Sequence, residues 1–175
     1  MSTYVIGDIH GCFDQFTKLL KKINYKKDED KLILLGDLVN RGPDSLSVIN
    51  HCMADSNIIT VLGNHDLYLL YLLSIDKAKG SLKEVVEADS NKTIFKWLLK
   101  MPLMLEIIDE FTGNSFLIAH AGIPDIWSPE KSKELASEVT SLLQKNPLKV
   151  LRSLWGDHPN QGNEELVDAI GCRNI

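Results

Sequence analysis

The chain has 175 residues, 44% hydrophobic and 25% charged, a balance that excludes a disordered chain and allows one soluble domain with a sizeable core. Its formal charge of −5 disfavours non-specific nucleic-acid binding, which needs a basic face, so no nucleic-acid partner is expected. Three cysteines (Cys12, Cys52, Cys172) with no C-x-x-C pair argue against a disulfide framework or a zinc knuckle. With no signal peptide and no apolar run long enough to span a bilayer, a cytoplasmic protein without a membrane partner is expected.

In chain order, Tyr4-Val5-Ile6 predicts a short buried strand that ends in Gly7-Asp8-Ile9-His10-Gly11. Phe13, Phe16, Leu20 and Ile23 recur at helical spacing. Lys31 to Leu35 reads as a second buried strand, ending in Gly36-Asp37. Pro43 and Asp44 open a helix with an apolar stripe of Leu46, Ile49 and Met53, which leaves His51 on a solvated face. Ile58 to Leu62 predicts a third strand, ending in Gly63-Asn64-His65-Asp66, and a helix follows from Leu67 to about Ser74.

Asp76 to Asn91 is charged and poor in periodicity, and reads as an excursion or lid. Its Lys77, Lys79 and Lys83 are expected to be solvated. A helix over Ile94 to Lys100 carries Phe95, Trp97 and Leu98, with Met101 just beyond it; these are read as core in preference to an adenine site. Met104 to Ile108 and Ser115 to Ala119 predict strands joined by a turn at Thr112-Gly113-Asn114, the second ending in His120-Ala121-Gly122. Ser128-Pro129 begins a long helix expected to stop before Pro147. Strands alternating with helices predict a layered α/β domain.

Four apolar runs thus end in groups that can ligate metal: Asp8 and His10, Asp37, Asn64 and His65, and His120. Sites in layered α/β folds gather beyond the carboxyl ends of strands, so these residues are expected to converge. Each alone would be an ordinary turn or structural residue; their joint placement predicts a metal site. Carboxylates, imidazoles and an amide without thiolate suit Mn²⁺, Fe²⁺, Co²⁺, Zn²⁺ or Mg²⁺. Two ions sharing one carboxylate would activate a water and clamp phosphoryl oxygens.

The motifs GDIHG (7–11), GDLVNRG (36–42), GNHD (63–66), HAG (120–122) and LWGD (154–157) resemble, in order, those of the phosphoprotein-phosphatase branch of the calcineurin-like metallophosphoesterases. Within it, GDLVNRGPDSLSV, GNHDLYLL and AHAGI look like the bacterial symmetrical diadenosine tetraphosphate hydrolases. The resemblance implies a single metallophosphoesterase domain over 1–175, an α/β/β/α sandwich lacking its C-terminal strands. It implies two divalent ions, Mn²⁺ or Co²⁺ in preference to Fe, Zn or Mg. Asp8 and His10 would bind the first, Asp37 would bridge, and Asn64 and His120 would bind the second.

By the same resemblance His65 would protonate or contact the reacting phosphate, and Arg41 would hold a phosphoryl group. The implied substrate is a dinucleoside polyphosphate, cleaved to two ADP; the alternatives are a protein serine/threonine phosphatase or a non-catalytic metal-binding remnant. Protein phosphatases of the branch carry Asp where this chain has Asn40, which orients the histidine; Asn40 or Asp66 would take that part here. The family's later Gly-His motif is missing before Ile175, which reads as a shortened chain, and only His51 and His158 remain as further histidines.

Overall fold

Three short parallel strands frame the molecule in the order β1-β2-β3: β1 (Thr3–Ile6), β2 (Lys31–Leu34) and β3 (Ile58–Thr60). The computed structural model describes residues 1–109 and 112–154. Tyr4 pairs with Leu32 and Leu32 with Ile58, so all three strands point the same way and their following loops lie at one edge. Helices α1 (Phe13–Lys22) and α2 (Ser45–Met53) make the crossovers between them. β2 is central, with Leu32, Ile33 and Leu34 at most 2% exposed, which is why its apolar run is unbroken. β1 departs from the expected buried strand. It lies at the sheet edge, Thr3 and Val5 face outward, and Val5 is 47% exposed.

Phe16 and Leu20 of α1 enter the core as their spacing predicts, and Asp14 and Lys22 sit at the ends that suit the helix dipole. Helix α2 is capped by Asp44, whose carboxylate accepts from the Ser47 N–H at 2.9 Å. Its buried face is rotated from the expected stripe: Val48, Ile49 and Cys52 are buried, while Leu46 and Met53 are only partly so. The helix packs against α1, β3 and a later helix together, so one stripe does not describe it. The same rotation corrects His51. Its ring stands edge-on to Phe13 and Phe16 at 5.8 and 5.5 Å, in the seam between α1 and α2.

Helix α3 (Asn64–Ser74) begins three residues before the expected Leu67, which places Asn64 and His65 on its first turn. The segment read as a lid is largely folded into the body. It contains a 3-10 turn (Gly80–Leu82) and α4 (Lys83–Ala88), with Leu82 and Val85 buried. Asp89 then caps α5 (Thr93–Leu98), accepting from the Ile94 and Phe95 N–H groups. Lys77, Lys79 and Lys83 are exposed as expected. Leu98 is buried and Phe95, Trp97 and Met101 pack on the core.

β4 (Met104–Ile108) and β5 (Ser115–Ala119) pair antiparallel as a second, two-stranded sheet. Helix α6 (Pro129–Lys145) starts at the Ser128 cap. Pro147 starts a further helix, α7 (Pro147–Ser153), instead of only ending α6, because a first-turn proline lacks only an N–H that would be unpaired anyway. α7 packs against α3 and α6. The result is the mixed α/β architecture that the alternating runs predict. Among the described residues no helix is long and apolar enough to cross a membrane.

Cys52 lies in this core, 2% exposed, and burial pushes its thiol up to about 12. It is expected to resist iodoacetamide at pH 8 in the native protein and to react at once in denaturant. Peptide mass spectrometry checks this; rapid native labelling of Cys52 would contradict the packing.

Candidate metal centre

The loops after β1 and β2 are joined by backbone hydrogen bonds before any side chain is considered. The Asp37 carbonyl accepts from both the Ile9 and His10 N–H groups, at 3.1 and 2.8 Å, and the Leu38 carbonyl accepts from Gly11 at 2.8 Å. Gly42 donates to the His10 carbonyl at 2.7 Å and closes the same joint. His10, Asp37, Asn40 and Arg41 all have positive φ, between 49° and 72°. For residues with side chains this conformation is costly, roughly 1–3 kcal/mol each, and it is held only where the surroundings over-determine it. Gly63 is required by contact: a Cβ there would meet Asp37 Oδ1 at 2.2 Å. The glycine makes room for the protein's own carboxylate, whereas Gly7 borders open space.

Asp37, 3% exposed, is the centre of the cluster. Its Oδ2 lies 3.8 Å from His10 Nε2 and 3.9 Å from His65 Nε2, and its Oδ1 lies 3.6 Å from His120 Nε2. Asp8 Oδ2 is 3.5 Å from His10 Nε2, and Asn64 Oδ1 is 3.2 Å from His120 Nε2. Asp8, His10, Asp37, Asn64, His65 and His120 therefore meet at one place, though they come from four loops. The donor atoms of His10, Asp37 and His65 all lie within 4.8 Å of one another. That grouping includes His65, which the motif reading had placed at the phosphate and not at metal.

The imidazoles are aimed by backbone carbonyls that the sequence reading missed. His10 Nδ1–H donates to the Val39 carbonyl at 3.3 Å and His120 Nδ1–H to the Leu35 carbonyl at 2.8 Å. Both Nε2 lone pairs are thereby turned toward Asp37, the arrangement in which a histidine ligates metal. A nearly buried carboxylate faced by imidazole nitrogens, a second carboxylate and an amide oxygen suits a divalent cation.

His65 is held differently. Its backbone N–H donates to Asp37 Oδ1 at 2.9 Å, and its Nδ1 meets Asn40 Nδ2 at 2.7 Å. Burial lowers the His65 pKa, against the pull of Asp37, and the nearby His10, Arg41 and His120 lower it further. Arg41 thus sits close enough for its charge to act on His65, and its residue is exposed.

Asp66 does not take the orienting part. It is fully buried and accepts from the Asp37, Leu38 and Gly63 N–H groups at 2.8, 3.0 and 2.9 Å. Burial pushes its carboxyl up to about 7, while these three donors pull it down. Its role is to tie the first turn of α3 to the loop that carries Asp37. His51 lies in the α1–α2 seam, away from the cluster. His158 and most of LWGD lie outside the described residues, as does Cys172.

The sequence pattern of the family described as calcineurin-like phosphoesterase matches residues 1–173. A relative from Salmonella paratyphi C named symmetrical bis(5'-nucleosyl)-tetraphosphatase is 39% identical over 180 residues, covering 100% of this chain and 62% of the relative. One of the same name from Proteus mirabilis is 39% identical over 172 residues, covering 95% of this chain and 62% of its own. A crystal structure assigned provisionally as a diadenosine tetraphosphatase superposes with a TM-score of 0.59 and 30% identity, over 73% of this chain and 53% of that one. The chain spans about 62% of the length of these curated relatives.

Proposed function

Since the chain belongs to the calcineurin-like phosphoesterase family, whose members use divalent metal ions, we propose that it hydrolyses diadenosine tetraphosphate symmetrically to two ADP. The observation that carries this reading is the Asp37 carboxylate, whose two oxygens face different donor sets. Oδ2 faces the His10 Nε2 that also meets Asp8, and Oδ1 faces the His120 Nε2 that also meets Asn64. One carboxylate in that position would serve two cations at once. Two divalent ions, Mn²⁺ or Co²⁺ ahead of Fe, Zn or Mg, would supply Lewis acidity and a nucleophilic water.

The remaining groups are this chain's own. Asp8, His10 and Asp37 would hold the first ion, and Asp37, Asn64 and His120 the second. Arg41 grips a phosphoryl group with its planar fork, which matches two oxygens where a lysine would meet one. His65, with its Nε2 turned to the same centre as Asp37, contacts the phosphate oxygen that departs and donates a hydrogen bond to it. The substrate is a small dinucleoside polyphosphate met in the cytoplasm.

The test is incubation of the chain with diadenosine tetraphosphate and Mn²⁺ or Co²⁺, with nucleotides resolved by ion-exchange chromatography. ADP as sole product is expected. ATP plus AMP, or a phosphopeptide turned over far faster than the dinucleotide, would overturn the reading. Calorimetric binding of one ion without turnover would identify a metal-binding remnant instead.

A further inference from the structure

Asn40 carries more information than its contact with His65. Its Oδ1 accepts from two donors, the Arg41 backbone N–H at 2.9 Å and the Ser81 hydroxyl at 2.6 Å. A backbone N–H can only donate, so the oxygen of this amide is fixed on that side and the NH₂ group faces His65 Nδ1. The bond is therefore donated by Asn40 and accepted by the ring, which leaves the imidazole proton on Nε2, toward Asp37.

Ser81 belongs to the segment that reads from sequence as a lid, 41 positions from Asn40. Leu82 and Val85, beside it, are buried at 1% and 0% exposure, so the hydroxyl is presented from an anchored turn. We propose that Ser81 is a positioning residue for His65: its hydroxyl holds the Asn40 amide, and that amide keeps the His65 proton on Nε2. An aspartate at position 40 would accept from Nδ1–H and favour the other arrangement, so the asparagine and the serine form one device. The proposal rests on His65 working at the phosphate as described above, but the placement of its ring proton can be measured without turnover.

The experiment uses the full chain, metal-free and ¹⁵N-labelled in its histidine rings, with the His65 signals assigned by their loss in His65→Ala. The native chain is expected to show the Nε2–H form. Ser81→Ala, which leaves the Arg41 N–H as the one donor to the Asn40 oxygen, should raise the share of the Nδ1–H form, and Ser81→Thr should restore the native spectrum. With diadenosine tetraphosphate as substrate, Ser81→Ala should lower kcat on the order of 10-fold with KM within about twofold of native. In an Asn40→Ala background the same serine change should cost nothing further. Native ring shifts in Ser81→Ala, or an equal kcat loss without Asn40, would overturn the proposal. Absence of turnover in the native chain would overturn the dinucleotide reading, and the ring spectra alone then decide on Ser81.

Discussion

Asp66→Ala is expected to lose about 3–5 kcal/mol of folding stability, since it leaves three buried N–H donors without an acceptor. The donors are those of Asp37, Leu38 and Gly63, and the carboxylate that serves them is 0% exposed. Typical domains have only about 5–15 kcal/mol in total, so this variant should lose a large share of its stability. Asp66→Asn keeps one acceptor oxygen and should lose roughly 1–2 kcal/mol. Urea denaturation followed by tryptophan fluorescence gives both values. An alanine variant within about 1 kcal/mol of native would mean that water or neighbouring groups satisfy those amides.

Asp37→Asn should lose on the order of 10³-fold in kcat while the fold survives. The amide retains an oxygen for the His65 N–H, now bound at 2.9 Å, so the local backbone keeps its contact. What goes is the negative charge between the two donor sets. Calorimetry with Mn²⁺ should show two ions falling to one or none. If the variant keeps both ions and native turnover, Asp37 is not shared between them and the two-ion reading fails. The measurement of ion number stands apart from any choice of substrate.

Much of the frame was legible because it is local. The unbroken apolar run of β2, the 3-4-3 spacing of α1 and the Ser128-Pro129 start of α6 each follow from side-chain period and capping chemistry. The candidate ligands after β1, β2 and β3 were legible for a related reason: a parallel sheet sends successive loops to one edge, so polar groups just after its strands meet there, whereas His120 joins them from the separate antiparallel pair. Two of the misreadings concern segments whose burial is decided by neighbours distant in sequence. His51 looked solvated by its place on a single stripe, yet α1 supplies two phenylalanines against it. The charged segment 76–91 looked like a lid, yet two apolar residues, Leu82 and Val85, suffice to seat it.

The sequence by itself determined which residues are candidates for the chemistry and roughly where each element begins. Periodicity, capping and motif order are properties of neighbours along the chain. Only the tertiary structure decided how those residues are aimed. The carbonyls of Leu35 and Val39 turn two imidazoles inward, Asp66 fastens helix to loop, and Asn40 presents its amide where the related phosphatases would present a carboxylate. These contacts join positions up to 85 residues apart, and most run through backbone groups common to every residue type, so no pattern of side chains along the chain can encode them.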